Sequence, residues 1–289
     1  MNHLLTNVTR TQVCLEPFPH VIIENALPES LSKDLLRQYP TNETITGPYQ
    51  KTNNTRFSYS LNQSLKNEKV ASIWKDFLKV HAGREFYLSL CNLFAPELDS
   101  YYSDYQKKYG RFTDMVVGMR KMDSFADKDV LVDAQICINT PTWQQATSVR
   151  TAHVDLPNKL FVGLFYLREQ DDQTKGGDLE IYKVKEGCEL KFKGTFVDPS
   201  ICEVVKTLKY GNNVAVFFPS HKLALHGVTV REKTNFTRRF FNYICEMKQP
   251  LFDLTDLQIP PTLFEKLSMR TRTFVSNLRG QPGPESFYN

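Results

Sequence analysis

Residues 132–139 read VDAQICIN and residues 159–167 read KLFVGLFYL, and both runs are rich in β-branched and aromatic residues. Five similar runs occur beyond residue 112: VVGMRKM (116–122), GDLEIYKV (177–184), CEVVKTLKY (202–210), NNVAVFFP (212–219) and RRFFNYIC (238–245). Short runs of this kind, separated by turn residues, predict β-strands. No helical segment lies between them, and parallel sheets need crossover helices. The pattern therefore predicts a β-sandwich or barrel.

Helical periodicity marks the chain on both sides of this region. PFPHVIIE (17–24) predicts a strand and ALPESLSKDLLRQYP (26–40) a helix, and apolar residues recur at spacings of three and four from 65 to 109. TLFEKLSMRTRTFVSNL (262–278), after two prolines, predicts a C-terminal helix. We therefore expect an α+β, mainly β fold in one domain, 1–289. Its parts are an N-terminal strand and helices (1–130), a β core (131–248), and a C-terminal helix and tail (249–289).

The composition is that of an ordinary soluble globular protein, with 41% hydrophobic and 24% charged residues and a net charge of +4. Basic and acidic residues are mixed without a Lys/Arg run, which disfavours nucleic-acid binding. The six cysteines are scattered with no CxxC pair, so neither a zinc site nor a disulfide framework is indicated. No signal peptide or membrane span is predicted, and we expect a cytoplasmic protein without a membrane partner. The sequence leaves the oligomeric state open.

A candidate metal motif lies between two of the predicted strands, at His153-Val154-Asp155. Side chains two residues apart share a face in extended backbone, so the imidazole and the carboxylate can reach one point. Taken alone, such a pair is more often a surface pair or a hydrogen-bonded structural pair than a metal site. His226, which follows the apolar run 212–219, supplies a second imidazole. Two imidazoles and one carboxylate form the facial triad of non-haem Fe(II) oxygenases, which leaves open positions on the ion, whereas a structural zinc site closes its shell.

Two adjacent arginines, Arg238 and Arg239, begin the last predicted strand. Only one of them can face the interior of a sandwich, because successive side chains of a strand point to opposite faces. A buried guanidinium would suit a bidentate clamp on a carboxylate ligand. The alternation itself does not choose between the two.

Taken together, these residues resemble the catalytic core of the 2-oxoglutarate-dependent prolyl hydroxylases. The resemblance covers roughly residues 133–245 and is carried by His153-Val-Asp155-x-Pro157-Asn158, Tyr166-Leu167, Gly176-Gly177-x-Leu179-x-Ile181, Phe217-Phe218-x-Ser220, His226-x-Val228 and Thr237-Arg238. Residues 17–40 are also similar to the N-terminal strand and helix of prolyl 4-hydroxylase-like oxygenases, whereas about 40–130 match nothing.

The resemblance implies a double-stranded β-helix (jelly-roll) core with the metal in its mouth. It implies Fe(II) bound by His153, Asp155 and His226, and 2-oxoglutarate bound at its far carboxylate by Arg238 and Tyr166, with O2 consumed and ascorbate as a reductant. The family's Thr-Arg pair matches Thr237-Arg238, which favours Arg238 over Arg239. The stretch between His226 and Arg238 is longer than in the closest prolyl hydroxylases.

The implied activity is hydroxylation of an unactivated C–H bond, because family halogenases have a small residue in place of Asp155. The expected substrate is a prolyl or other peptidyl residue, or a small amino-acid-like metabolite. Gln135, Asn139 and Arg150 are candidate substrate-binding residues. Two alternatives stay open: a cupin-type metal oxygenase that is independent of 2-oxoglutarate, and a non-catalytic β-sandwich binding protein.

Overall fold

The computed structural model describes residues 3–47 and 52–260, and it has an α+β fold that is mainly β. The strands of this part of the chain are Val21–Glu24 (β1), Arg56–Tyr59 (β2), Val117–Met119 (β3), Val130–Asn139 (β4), Lys159–Leu167 (β5), Leu179–Val184 (β6), Cys202–Leu208 (β7), Asn212–Pro219 (β8), His226–Val228 (β9) and Arg238–Met247 (β10). Its α-helices are Glu29–Arg37 (α1), Asn42–Thr46 (α2), Leu61–Lys66 (α3), Ser72–His81 (α4), Arg84–Leu93 (α5) and Ala95–Tyr109 (α6).

The strands form two sheets. The larger sheet has the order β1-β8-β5-β10-β4-β2, with β3 also beside β4, and the smaller has the order β7-β6-β9. The segment around His153 extends the smaller sheet, because His153 bridges both His226 and Phe196. All named strand pairs are antiparallel except β3 with β4. This pairing agrees with the expected antiparallel β architecture.

The two faces of the larger sheet pack against different layers. On one face, Phe165 and Phe241 lie in a core with the helical residues Trp74 and Phe77. On the other face, Tyr166, Phe218 and Phe240 cluster with β6 side chains such as Ile181. This alternation follows the period of two in the strands. The face toward the smaller sheet is called the inner face below.

All seven strand-like runs beyond residue 112 form strands, and the predicted strand at 17–24 and the helices at 26–40 and 65–109 are confirmed. The predicted helix at 262–278 lies outside the described residues. The elements α2, β2 and β9 were not predicted, and most of α3 precedes the predicted helical region. β2 is only four residues long and pairs at the edge of the sheet with β4. Such a short segment becomes a strand through its partner rather than through its own pattern. Within 3–47 and 52–260, no helix has the length and apolar character needed to cross a membrane.

Gly163 in β5 leaves space for an aromatic ring of the core. A Cβ at this position would lie 2.3 Å from Phe217 Cε1, closer than the ring could tolerate without moving. We predict that Gly163→Ala lowers the free energy of unfolding by about 1–3 kcal/mol, the usual effect of overpacking a core. Urea unfolding measures this, with Val205→Ala on the exposed face of β7 as the control. Equal effects of the two substitutions would contradict the packing described here.

Candidate metal and anion site

Backbone pairing brings His153 and His226 together from distant parts of the chain. The amide of each residue donates a hydrogen bond to the carbonyl oxygen of the other, at 2.9 Å in both directions. Their ring centroids lie 4.2 Å apart. The neighbours Ala152, Val154 and Leu225 belong to a separate apolar cluster. The two histidines are therefore directed away from that cluster by strand alternation.

Both imidazoles are oriented by a carbonyl two residues earlier in the chain. His153 Nδ1 bonds to Thr151 O at 2.7 Å, and His226 Nδ1 bonds to Ala224 O at 3.0 Å. Because a carbonyl can only accept, Nδ1 carries the proton in each ring, which leaves the lone pair on Nε2. Burial lowers the pKa of His153 well below its ordinary value and also lowers the pKa of His226. Neutral rings held in this way are suited to bind a metal through Nε2.

The Asp155 carboxylate completes this group of side chains. Its Oδ2 lies 3.7 Å from His226 Nε2, while Oδ1 accepts from Lys159 Nζ at 3.1 Å and from Arg150 Nη1 at 3.5 Å. Burial alone would raise the pKa of Asp155, but the adjacent charges, Lys159 foremost, hold it well below its usual value. The carboxylate is therefore ionised, with one oxygen held by cations and the other facing a histidine.

The two imidazoles and the carboxylate are suitable ligands for a divalent ion, but they lie farther apart than they would with an ion bound. In the described part of the chain, no group of three or more His, Cys, Asp or Glu side chains is placed closely enough to hold a metal. Two donors that bind one ion at right angles, with bonds of about 2.1 Å, lie about 3.0 Å apart. The 3.7 Å separation of His226 and Asp155 is wider than this. Two neutral imidazoles and one carboxylate nevertheless match the facial set, and side-chain movement of less than about 1 Å would bring this pair to that spacing.

A second polar group on the inner face surrounds Arg238, which is 3% exposed. Its Nε donates to Gly177 O at 2.7 Å, and its Nη1 donates to Asn139 Oδ1 at 3.1 Å. Its guanidinium carbon lies 4.9 Å from the centre of the Tyr166 ring. Three buried donors here have no hydrogen-bond partner within the described residues: Arg238 Nη2, Asn139 Nδ2 and the Tyr166 hydroxyl. Buried polar groups are normally paired, so three unpaired donors in one place indicate a site for an acceptor ligand such as a carboxylate.

Tyr166 is suited to donate to such a ligand. Burial raises the pKa of its hydroxyl, while the charge of Arg238 lowers it in part. The phenol is therefore protonated at neutral pH. The hydroxyl is close enough to Arg238 to respond to its charge, but it makes no hydrogen bond of normal geometry to it.

The structure separates the two adjacent arginines. Arg238 shares the inner face with Phe240, whereas Arg239 points to the opposite face, forms an ion pair with Glu169 and lies 5.3 Å from the Tyr39 ring. The anion pocket thus contains Arg238 and not Arg239. The sequence alternation had left both possibilities open.

The three candidate substrate-binding residues occupy different places. Gln135 is held in an internal network, since its amide donates to Asp133 at 2.8 Å and accepts from Asn242 at 3.2 Å. Asn139 lies in the anion pocket. Arg150 lies beside Asp155 and 5.7 Å from the Phe196 ring. Of the three, Arg150 alone touches the group of His153, Asp155 and His226.

Two features of the site were not anticipated. Lys159, four residues after Asp155, is an ion-pair partner that its position at the start of β5 does not reveal. Gly176 is the second feature: a Cβ on this residue would lie 1.8 Å from Val230 O. The glycine therefore permits close approach of two backbones, and its φ of +78° is in the left-handed region. Both relationships depend on contacts that sequence spacing does not encode.

No protein-family model matches the chain, and no curated protein matches its sequence. Its structural neighbours are prolyl 4-hydroxylases and members of the 2OG-Fe(II) oxygenase family. A prolyl 4-hydroxylase from Phytophthora capsici is 15% identical with a TM-score of 0.47, and the match covers 91% of this chain and 69% of that one.

A prolyl hydroxylase from Trichoplax adhaerens, solved with a hypoxia inducible factor peptide fragment, is 13% identical with a TM-score of 0.41, covering 84% and 90% of the two chains. An oxidoreductase of the 2OG-Fe(II) oxygenase family from Burkholderia pseudomallei is 10% identical with a TM-score of 0.36, covering 78% and 85%. Likeness at this level does not bear on the chemistry, which depends on the residues themselves.

The lowered pKa values of the two histidines lead to a prediction for metal binding. The pKa of His153 lies well below its ordinary value, that of His226 is also lowered, and Asp155 is ionised, so protons should compete less with a metal than they would at ordinary histidines. We expect the apparent Kd for Mn(II) to change by less than about twofold from pH 7.5 to 6.0, whereas two histidines with ordinary pKa values near 6.5 would weaken binding roughly tenfold. Calorimetric titration at the two pH values, with His226→Ala as the non-binding control, provides the measurement. A tenfold loss in the unmodified protein would contradict the assigned protonation states.

Proposed function

We propose that this protein is an Fe(II)- and 2-oxoglutarate-dependent dioxygenase that hydroxylates an unactivated C–H bond. The observation that carries the proposal is the presence, between the two sheets, of two imidazoles and a carboxylate of the facial type and a buried guanidinium pocket with unpaired donors. Phe218 connects the two parts: its ring lies 5.0 Å from His226, and it belongs to the same apolar cluster as Tyr166 and Phe240. An oxygenase that uses a carboxylate co-substrate requires both the metal-binding side chains and the anion pocket, which favours this function over a non-catalytic binding protein.

The proposed scaffold is a double-stranded β-helix within a single oxygenase domain. Strands β4, β5, β8 and β10 lie in the larger sheet, while the His153 segment, β6, β7 and β9 lie in the smaller one. The chain thus passes repeatedly from one sheet to the other, which is the pattern of a jelly roll. In this scaffold the metal-binding side chains come from the smaller sheet, and Arg238 and Tyr166 from the larger.

His153, Asp155 and His226 would hold the ferrous ion, and Arg238 with Tyr166 and Asn139 would bind the far carboxylate of 2-oxoglutarate. When bound, the ion supplies the oxidation in which R–H, O2 and 2-oxoglutarate give R–OH, succinate and CO2. The protein's own residues bind and orient the reactants. Lys159 and Arg150 stabilise the ionised form of Asp155 by donating hydrogen bonds to its Oδ1. The apolar cluster of the inner face excludes water. Ascorbate is proposed as the reductant that maintains the ferrous state.

The proposed substrate is a peptidyl residue, such as proline, or a small amino-acid-like metabolite. Arg150 is the candidate contact that lies at the metal-binding side chains, where a substrate must approach. Gln135 makes its hydrogen bonds within the protein, and Asn139 faces the co-substrate, so neither supports a separate substrate pocket.

Removing a metal-binding side chain tests the activity. We predict that Asp155→Ala and His226→Ala each abolish substrate-dependent succinate formation while the protein stays folded. The assay measures succinate release across a panel of amino acids, peptides and other metabolites, with Fe(II), 2-oxoglutarate and ascorbate present. Arg239→Met, on the opposite face of β10, is the control and should retain turnover. Succinate formation by either alanine variant at the unmodified rate would remove the iron assignment.

Removing the guanidinium of the anion pocket tests the co-substrate. We expect Arg238→Met to raise the Kd for 2-oxoglutarate about tenfold to a hundredfold, the loss typical of a hydrogen bond to a charged group. Arg239→Met should leave the Kd unchanged because its partner is Glu169. Anaerobic titration of the Fe(II) protein, followed by absorbance, reports binding without turnover. If 2-oxoglutarate does not perturb the spectrum of the unmodified protein, an oxygenase independent of this co-substrate is favoured instead.

A further inference from the structure

The segment between His226 and Arg238 places a second arginine inside the protein. Residues 229–236 run beside 140–147, with bridges between Thr142 and Thr234 and between Thr147 and Arg231. Arg231 is 1% exposed. A side chain with a full positive charge is almost never buried to this extent unless it has a partner of opposite charge.

The hydrogen bonds of Arg231 are all to neutral groups. Its Nη1 donates to Thr140 O at 3.3 Å and its Nη2 donates to Phe236 O at 2.7 Å. Its Nε is buried and has no hydrogen-bond partner in the described chain. Arg238 is similar, since its partners are a backbone carbonyl and an amide oxygen and its Nη2 is unpaired. Two buried guanidiniums thus lack a direct carboxylate contact in the part of the chain that the structure describes.

Gly177 lies between these two side chains. A Cβ on this glycine would be 3.2 Å from Arg238 Cδ and 3.5 Å from Arg231 Cδ. The two arginines therefore approach one point of the backbone. The pKa of Arg231 is lowered to about 10, mainly by burial and in smaller part by the charge of Arg238. The guanidinium remains charged at neutral pH, so its positive charge acts on the same region as that of Arg238.

Positive charge exceeds negative charge around this region. The charged side chains that act electrostatically on Arg231 or Tyr166 include Arg56, Arg168, Arg238, Asp172 and Asp178. Asp172 forms its ion pair with Arg168, and Asp178 Oδ1 accepts from the Tyr210 amide. Together with Arg231, four cations therefore lie near two carboxylates; Asp172 Oδ1 is held by Arg168, whereas its Oδ2 is buried without a hydrogen-bond partner in the described residues. An excess of buried positive charge is stabilised when an anion binds beside it.

We propose that Arg231 is a second cationic determinant of the anion pocket, so that the far carboxylate of the 2-oxo acid is bound by Arg238 and the charge of Arg231 together. This inference rests on the proposed function and adds a residue that the family resemblance does not supply. It also assigns a role to the longer stretch between His226 and Arg238, which carries the second guanidinium into the pocket.

A structural role for Arg231 makes a different prediction. If the side chain only holds the backbone of Thr140 and Phe236 by hydrogen bonds, then any substitution should distort these loops and weaken the binding of all ligands equally. If its charge binds the carboxylate, then lysine should substitute for it in part, and only ligands with a far carboxylate should respond. The two roles can be separated by a pair of variants and a pair of ligands.

The experiment is calorimetric titration of the Mn(II)-loaded protein with 2-oxoglutarate and with 2-oxobutanoate, which keeps the chelating end but lacks the far carboxylate. We expect Arg231→Met to raise the Kd for 2-oxoglutarate about tenfold, because one nearby buried charge is lost. The Kd for 2-oxobutanoate should stay unchanged. Arg231→Lys should stay within about threefold of the unmodified protein for both ligands. Arg239→Met is the control. Should the methionine variant fail to fold, as judged by its thermal transition, Arg231→Gln takes its place.

Equal loss of affinity for both ligands, equal loss in the lysine and methionine variants, or no change for 2-oxoglutarate would each overturn the inference. If any of these occurs while the unmodified protein binds 2-oxoglutarate, the proposed function stands without the second arginine. If the unmodified protein binds neither 2-oxo acid, the proposed function and this inference are overturned together.

Discussion

The mutual hydrogen bonds between the backbones of His153 and His226 are the contact on which the candidate site depends. They join a segment that follows β4 to a strand that follows β8, and each is 2.9 Å long. Strand alternation then directs both imidazoles to the same side, while Ala152, Val154 and Leu225 pack on the other. This pairing is what brings the two imidazole rings close together. It also places Asp155 in a buried position, where Lys159 is its ion-pair partner.

The inner face of the larger sheet shows how buried polarity can indicate function. Gln135, Asp133 and Asn242 satisfy one another and need no ligand. Arg238, Tyr166 and Asn139, farther along the same face, retain donors without acceptors. Burying a polar group without a partner costs stability, so a protein rarely retains three such donors together unless something binds there. The contrast distinguishes a structural network from a binding pocket on the same face.

The anion pocket is assembled from three parts of the chain. β10 supplies Arg238, β5 supplies Tyr166, and β4 supplies Asn139, which lies opposite Arg238 in the strand register. Gly177 accepts the Arg238 hydrogen bond, and Gly176 allows the backbone of Val230 to approach. The residue after Val230 is Arg231, whose Cδ lies close to Gly177. The pocket therefore depends on close backbone contact as much as on its charged residues.

Local pattern was sufficient for most strands and helices and for the prediction that His153 and Asp155 share a face, because periodicity and spacing are properties of the chain itself. The short strand β2 and the partners of Asp155 were not predictable, since each depends on a segment distant in sequence. The family resemblance favoured Arg238 over Arg239, but the physical choice needed the tertiary structure. Alternation says that the two side chains diverge, and the packing of β10 between β4 and β5 says which one is inside. The sequence thus determined which residue types could bind a metal and an anion, and the tertiary structure decided which of them meet, because contacts between distant segments are made by packing and not by spacing.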